Sequence, residues 1–302
     1  MICKVLKLNN GYEIPTVGLG TWKLEDESSL ESSIRNAVSL GYRHIDTAFI
    51  YGNEKMIGNI LKKLFNEGVV QRKDLFITSK LWNTFHDCPE DALRRTLGDL
   101  QIDYVDLYLI HWPVTFEPAP NGSMESCGKK YNIGEFDAVT LWKKMEALVD
   151  LGLARSIGVS NFGKENTEKV LGACRIRPAV SQFELHPYLT QKDLVEFMRS
   201  KGIQVISYSS LGSGGQDSSP KVREDKTIKE IAKKYGCTPS QVILSYIVSR
   251  GVCVIPKSKS KEHLKENIDL KELSKEDISA IDGLNINHRY VNPVGFGPNR
   301  FK

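Results

Sequence analysis

Val105-Asp106-Leu107-Tyr108-Leu109-Ile110-His111 is a short, mostly apolar run that ends on an ionisable residue. Its length and its Val, Leu, Tyr and Ile content suit a strand buried on both faces. Similar runs occupy residues 17–19, 43–46 and 75–79 before it, and 154–159, 179–183, 204–208 and 252–255 after it. Helical patterns separate them, at 28–40, 53–66, 89–100, 138–151, 164–173, 191–201, 227–235 and 239–249, with 261–267 and 275–283 closing the series. Strands alternating with helices pair in parallel through right-handed crossovers, and eight strands is the number that closes a barrel. The expected fold is α/β, a (β/α)8 TIM barrel with an N-terminal β-hairpin and extra helices, filling residues 1–302 as one domain. A doubly wound sheet is the rival. It usually carries G-x-G-x-x-G after its first strand. Here that strand runs into Gly18-Leu19-Gly20-Thr21-Trp22, without the third glycine in place.

Local signals sharpen the outline. Asn9-Asn10-Gly11 between Val5-Leu6-Lys7-Leu8 and Tyr12-Glu13-Ile14-Pro15 reads as a hairpin turn. Thr238-Pro239-Ser240-Gln241 puts Pro at a first helical position, and Ser274 opens a capping-box pattern. Gly41, Gly152, Gly202, Gly236 and Gly251 each follow a helical run, where a left-handed cap is expected. The segments 112–137 and 211–226 exceed ordinary connections, and the tail 288–302 is too irregular for a helix. All three are expected to rim the barrel mouth.

Composition narrows the function. The 302 residues are 40% hydrophobic and 26% charged, with a formal net charge of +4. That charge is too mild for a nucleic-acid footprint and allows one anion site. The six cysteines are scattered without a CxxC pair, so no metal or redox motif is visible. Met1-Ile2-Cys3-Lys4 does not begin a signal peptide, and no run nears the about 20 apolar residues of a membrane span. Asn121-Gly122-Ser123 matches a glycosylation sequon but carries little weight without a secretion signal. A cytoplasmic monomer acting on a small molecule is expected, without nucleic-acid or membrane partners.

Chemistry is expected where strands end. The strand-end residues are Thr21-Trp22, Asp46, Lys80, His111, Ser160-Asn161, Glu184, Tyr208 and Lys257-Ser258, and all but Trp22 are polar or ionisable. Tyr51 lies in the loop after Asp46. A phenol is a weak acid at neutral pH, and a nearby ammonium draws its pKa down. Asp46 would hold Lys80 charged, and His111 would offer a second donor to the same oxygen. The set Asp46, Tyr51, Lys80 and His111 suits carbonyl reduction and implies a nicotinamide as hydride source. The run Lys257-Ser258-Lys259-Ser260-Lys261, between the last strand and a helix, reads as a phosphate cradle.

The chain resembles the aldo-keto reductases, in particular the aldose/aldehyde reductase branch, along almost its whole length. The resemblance rests on Gly18-Leu19-Gly20-Thr21-Trp22 and Ile45-Asp46-Thr47-Ala48-Phe49-Ile50-Tyr51-Gly52-Asn53-Glu54. It continues through Thr78-Ser79-Lys80-Leu81-Trp82, Leu107-Tyr108-Leu109-Ile110-His111-Trp112-Pro113 and Ile157-Gly158-Val159-Ser160-Asn161-Phe162. Gln182-Phe183-Glu184-Leu185-His186-Pro187 and Ile255-Pro256-Lys257-Ser258 complete it.

The resemblance implies an NADPH-dependent reductase of aldehydes or ketones, with Tyr51 as proton donor, Lys80 and Asp46 tuning it, and His111 orienting the carbonyl. It places Thr21, Trp22 and Asp46 beside the cofactor. Ser160, Asn161 and Gln182 would hold the carboxamide, and Tyr208 would lie on the nicotinamide ring. Leu211 and Ser213 would line the pyrophosphate, and Lys257, Ser258, His263, Glu266 and Asn267 the adenosine end. Trp22, Ile50, Trp82, His111, Trp112 and Phe116 look like substrate walls. His263 stands where the branch usually has Arg, which grips phosphate through two parallel bonds. NADPH preference with some NADH use is therefore expected. Two alternatives stand beside this reading. One is a catalytically silent NADP-binding sensor or structural protein of the same fold. The other is a Schiff-base lyase using Lys80.

Overall fold

The computed structural model describes residues 4–117, 132–212, 219–298 and 300–301. The chain opens with the antiparallel hairpin β1 (Val5–Lys7) and β2 (Glu13–Pro15). Leu8 accepts the Gly11 N–H at 3.0 Å to close the turn, and Gly11 supplies the positive φ of 92° that the turn requires. Strands and helices then alternate: β3 (Leu19–Gly20), α1 (Glu27–Ser39), β4 (His44–Asp46), α2 (Glu54–Asn66), β5 (Phe76–Leu81), α3 (Pro89–Leu100) and β6 (Val105–Ile110). A short antiparallel pair, β7 (Thr115–Phe116) and β8 (Ile133–Gly134), interrupts the pattern. It resumes with α4 (Ala138–Asp150), β9 (Ala154–Ser160), α5 (Lys164–Ala173), β10 (Val180–Glu184), α6 (Lys192–Ser200) and β11 (Gln204–Tyr208). Then come α7 (Lys226–Tyr235), α8 (Pro239–Ser249), β12 (Cys253–Val254), α9 (Lys261–Ile268) and α10 (Lys275–Asp282).

Eight of these strands form one all-parallel sheet in the order β3-β4-β5-β6-β9-β10-β11-β12. Its two edges meet through a parallel bridge between Val17 and Val254, with Gly18 N–H donating to the Val254 oxygen at 2.8 Å. The approach is close enough to need glycine. A Cβ on Gly20 would lie 2.5 Å from the Ile255 carbonyl oxygen. This is the expected (β/α)8 barrel.

Two layers of core follow from the closure. Leu107, Leu109, Val180, Ile206 and Cys253 fill the barrel interior, and Leu8 and Ile14 of the hairpin plug its lower end. A larger cluster packs the helices on the outside, with Trp142 buried and its indole N–H bonded to the Ile176 oxygen at 2.9 Å. Each fully buried Leu or Ile contributes about 2 kcal/mol. Helix ends obey their local signals. The Thr238 side chain accepts from Gln241 N–H at 3.3 Å while Gln241 Oε1 accepts from Thr238 N–H at 3.0 Å. The five cap glycines all have positive φ.

The long segments behave differently from plain loops. The connection after β6 folds back on itself through β7 and β8, whose two-residue strands leave no alternation to read. The tail makes a single 3-10 turn at Val294–Phe296. Among the described residues no helix is long and apolar enough to cross a membrane.

Candidate active site

The C-terminal ends of the barrel strands surround a cavity of about 610 Å³, within the range of small-molecule sites. Asp46 ends β4, and Lys80 is the last but one residue of β5. His111 directly follows β6. Tyr51 sits in the 3-10 turn Phe49–Tyr51, which stops because Gly52 takes a left-handed φ of 67°. Barrel geometry thus brings the four side chains to one rim.

Lys80 Nζ donates to Asp46 Oδ1 at 2.6 Å, to the Thr47 carbonyl at 2.9 Å and to the Tyr51 hydroxyl at 3.3 Å. The Lys80 and Asp46 side chains are almost fully buried, so the pair is held by geometry and hydrogen bonds rather than exposed to screening. The other Asp46 oxygen accepts from Gln182 Nε2 at 2.8 Å. The His111 ring lies against Tyr51, with centroids 6.0 Å apart, and against Trp82 at 5.4 Å.

The electrostatics correct one expectation. Burial has the largest influence on the Tyr51 phenol and lifts its pKa above the ordinary value, while Lys80 draws it back and Asp46 adds to the rise. The net direction is up, because taking a phenolate out of water costs more than one ammonium returns. Burial works against the Lys80 ammonium, yet Asp46 and then Tyr51 outweigh it and raise its pKa. Burial and then the Lys80 charge push His111 well below its ordinary value, so its imidazole is neutral.

Asn161 organises the far side of the rim. It takes a left-handed φ of 63° just past β9. From there its amide donates to the His111 carbonyl at 3.0 Å and its oxygen accepts from the Tyr208 hydroxyl at 2.6 Å. The Tyr208 ring is thereby fixed at the wall. Thr21, Trp22, Asp46, Ser160, Asn161, Gln182, Tyr208, Leu211 and Lys257 all line the cavity, as do Ile50, Trp82, His111 and Trp112.

Other expected residues lie elsewhere. Phe116 is buried behind the wall, with ring centroids 5.7 Å from Trp82. Ser258 bonds within its own turn, accepting from Ser260 N–H at 3.1 Å. His263, Glu266 and Asn267 are on α9, outside the cavity lining. Ser213 falls outside the described residues.

Sequence reasoning missed other parts of the wall. Lys23, next to Trp22, places its ammonium 4.5 Å from the Trp22 ring centroid. Among the described residues of the lining, Arg223 joins Lys23 and Lys257 as a third cation, and Asp46 is the one carboxylate and is already paired. Burial, then Lys259 and Lys23, lower the Lys257 pKa. Cations crowded without a counter-charge are what an anionic ligand relieves. Val291, Pro293 and Phe296 of the tail also line the cavity. The tail was expected at the barrel mouth, but no local pattern singles out these three residues.

Comparison with known proteins agrees with this geometry. The sequence profile of the Aldo/keto reductase family matches residues 16–286. The chain is 80% identical over 302 residues, all of both chains, to an aldose reductase of Encephalitozoon cuniculi (strain GB-M1). It is 42% identical to an NADH-dependent D-xylose reductase of Candida parapsilosis, covering 96% of this chain and 95% of that one. The solved structure of the aldose reductase from Schistosoma japonicum superposes with a TM-score of 0.88 at 36% identity, covering 97% of this chain and 96% of that one. With its barrel, its strand-end site and these likenesses, the chain belongs to the aldo/keto reductase family.

Proposed function

We propose that Tyr51 gives the proton, with Lys80 and Asp46 holding it and His111 orienting the carbonyl, when this chain reduces an aldehyde or ketone to an alcohol with NADPH. Carbonyl reduction follows from the family, and the chain is an oxidoreductase of that kind. NADPH, when bound, supplies the hydride. The observation that carries the reading is the Tyr51 hydroxyl 3.3 Å from a buried, charged Lys80 on the wall of the cavity.

The residues present fit the cofactor. Ser160, Asn161 and Gln182 offer amide and hydroxyl groups for a carboxamide, and the fixed Tyr208 ring offers a face for a nicotinamide. Leu211 and Ser213 would flank the pyrophosphate, with Lys23, Arg223 and Lys257 supplying positive charge. Ser258, His263, Glu266 and Asn267 would take the adenosine end. NADPH is preferred and NADH is used in part, a reading supported by His263 in place of an Arg and by the NADH-dependent relative. Trp22, Ile50, Trp82 and Trp112 form the apolar substrate wall.

As charge builds on the carbonyl oxygen, Tyr51 and one ring N–H of neutral His111 both donate to it. Each preorganised donor in a dry site lowers the barrier by about 3 kcal/mol. Lys80 stays charged beside Asp46, which opposes attack of a neutral amine on the carbonyl and so argues against a Schiff base. On this reading the whole chain, residues 1–302, works as one barrel and as a monomer. It works in the cytoplasm, where free thiols such as Cys88, Cys174 and Cys237 persist.

Steady-state reduction of a panel of aldehydes and ketones with NADPH and with NADH tests the reading. Tyr51→Phe is expected to lose about 10³-fold in kcat and keep NADPH binding. Full activity in that variant would remove Tyr51 from the role.

A further inference from the structure

Glu184 ends β10 and is completely buried, yet it takes no part in the chemistry above. Its carboxylate faces the C-terminal tail. Oε1 accepts the Tyr290 backbone N–H at 2.6 Å and lies 2.9 Å from His186 Nε2. Oε2 accepts the Val291 backbone N–H at 2.9 Å, with Arg289 Nη1 at 3.9 Å. Two consecutive backbone N–H groups pointing at one buried carboxylate form a strong, charge-assisted dock. Burial, more than any neighbour, holds His186 below its usual pKa, so it meets Glu184 as a neutral ring.

The docked residues reach both halves of the cavity. Val291 of the dock, and Pro293 and Phe296 beyond it, line the cavity. Phe296 packs edge-on against Trp112 at 5.3 Å and Trp82 at 6.1 Å between ring centroids. Within the dock, the Tyr290 ring sits 4.7 Å from both His186 and His288. Its hydroxyl donates to the Pro220 carbonyl at 2.5 Å. Gly212 lies so close that a Cβ there would come within 2.9 Å of that hydroxyl. Tyr290 therefore touches the segment after β11 on both its sides, between Leu211 and Arg223 of the cavity wall.

We propose that Glu184 is a positioning residue that docks the C-terminal tail across the barrel mouth, so that this buried carboxylate sets which aldehydes fit, with Tyr290 joining the same dock to the segment that follows β11. The proposal rests on the carbonyl-reductase reading. Glu184 touches neither substrate nor cofactor. It acts by holding the aromatic wall that Phe296 completes.

Glu184→Gln tests it. A glutamine offers one acceptor oxygen where two backbone N–H groups converge, so one of them loses its partner. The KM of a bulky aromatic aldehyde should rise about tenfold, as expected for one lost buried bond. The kcat for a three-carbon aldehyde and the NADPH affinity should stay as in the parent. Trypsin should cut faster at Arg289 and Arg300. A chain ending at residue 291 should show the same change in aldehyde ranking. Tyr290→Phe, which removes the hydroxyl's bonds to the Pro220 carbonyl and the Val222 N–H and leaves the Glu184 dock intact, should speed NADP release and leave the ranking alone.

Unchanged ranking and unchanged proteolysis in Glu184→Gln would overturn the proposal. So would a shortened chain whose ranking changes while that of Glu184→Gln does not. If Glu184→Gln fails to fold, hydrogen exchange of the Tyr290 and Val291 amides in the unaltered protein decides. Strong protection supports the dock, and exchange at the solvent rate ends it. Failure of the parent to reduce any aldehyde would instead end the carbonyl-reductase reading, and exchange and proteolysis would still report on the dock.

Discussion

Gln182 on β10 donates to the Asp46 oxygen on β4 that Lys80 leaves free, 2.8 Å away across the barrel. Both carboxylate oxygens are thus occupied, and Asp46 serves as a fixed counter-charge. Asp46→Asn should leave the Lys80 ammonium buried without a partner charge and destabilise the fold by about 3 kcal/mol. Urea unfolding measures this, and an unchanged midpoint would show that the pair is not a counter-charge.

Lys80→Met should act on the phenol. Lys80 is the influence that draws Tyr51 down against burial, so its removal lets the phenol rise further. The reduction needs the protonated phenol, so its alkaline limb should move to higher pH while kcat drops by about 10²- to 10³-fold. A pH profile of kcat/KM checks both. His111 is held neutral by burial and by Lys80, and no inflection near neutrality should belong to it.

Glu54 carries a separate pH signature. It is buried at the start of α2 and accepts from Ser79 Oγ at 2.5 Å and Thr96 Oγ1 at 3.0 Å. Burial lifts it from 4.5 to about 7, against those two bonds. Between these values the folded chain binds more protons than the unfolded one, so this contribution is full at low pH and is lost as pH rises through about 7. The loss amounts to about 3 kcal/mol. Glu54→Gln should remove it, so the stability difference between parent and variant should shift in the variant's favour between about pH 5 and about pH 8. Chemical denaturation at both ends measures it, and a constant difference would refute the assignment.

His263 is exposed on α9, its backbone N–H bonded to Ser260 Oγ at 3.2 Å. His263→Arg should tighten NADPH over NADH by about tenfold, since a guanidinium grips a phosphate through two parallel bonds. Comparing KM for the two cofactors decides it.

Gly58→Ala should destabilise. Ala is the better helix former by about 1 kcal/mol, but a Cβ at Gly58 in α2 would overlap the backbone of Asp99 and Leu100 at the end of α3. Overpacking against rigid backbone costs about 1–3 kcal/mol. A thermal melt that rises would refute this packing.

What could be read in advance was what short-range physics controls. The helix Pro239–Ser249 begins where its capping box and Pro239 say it should and stops just before Gly251, and Pro89 opens the helix Pro89–Leu100. Asp46, Lys80 and His111 stood out because each is an ionisable group closing an apolar strand. The Tyr51 pKa direction was misjudged because burial, not a neighbour, dominates it, and burial is a property of the whole fold. The tail was expected at the mouth, but its attachment to Glu184 and the pair β7–β8 were invisible for a related reason. Backbone N–H groups of Tyr290 and Val291 bonding a side chain more than 100 positions earlier leave no trace in spacing.

The seam between Val17 and Val254 carries one more consequence. The first strand finds its second neighbour only when the last strand has been made. A nascent polypeptide still emerging from the ribosome, or one cut short before residue 250, keeps an open flank and no finished pocket. Half-made copies should be inert toward reactive carbonyls, and a premature stop should behave as a null rather than as a weakened enzyme.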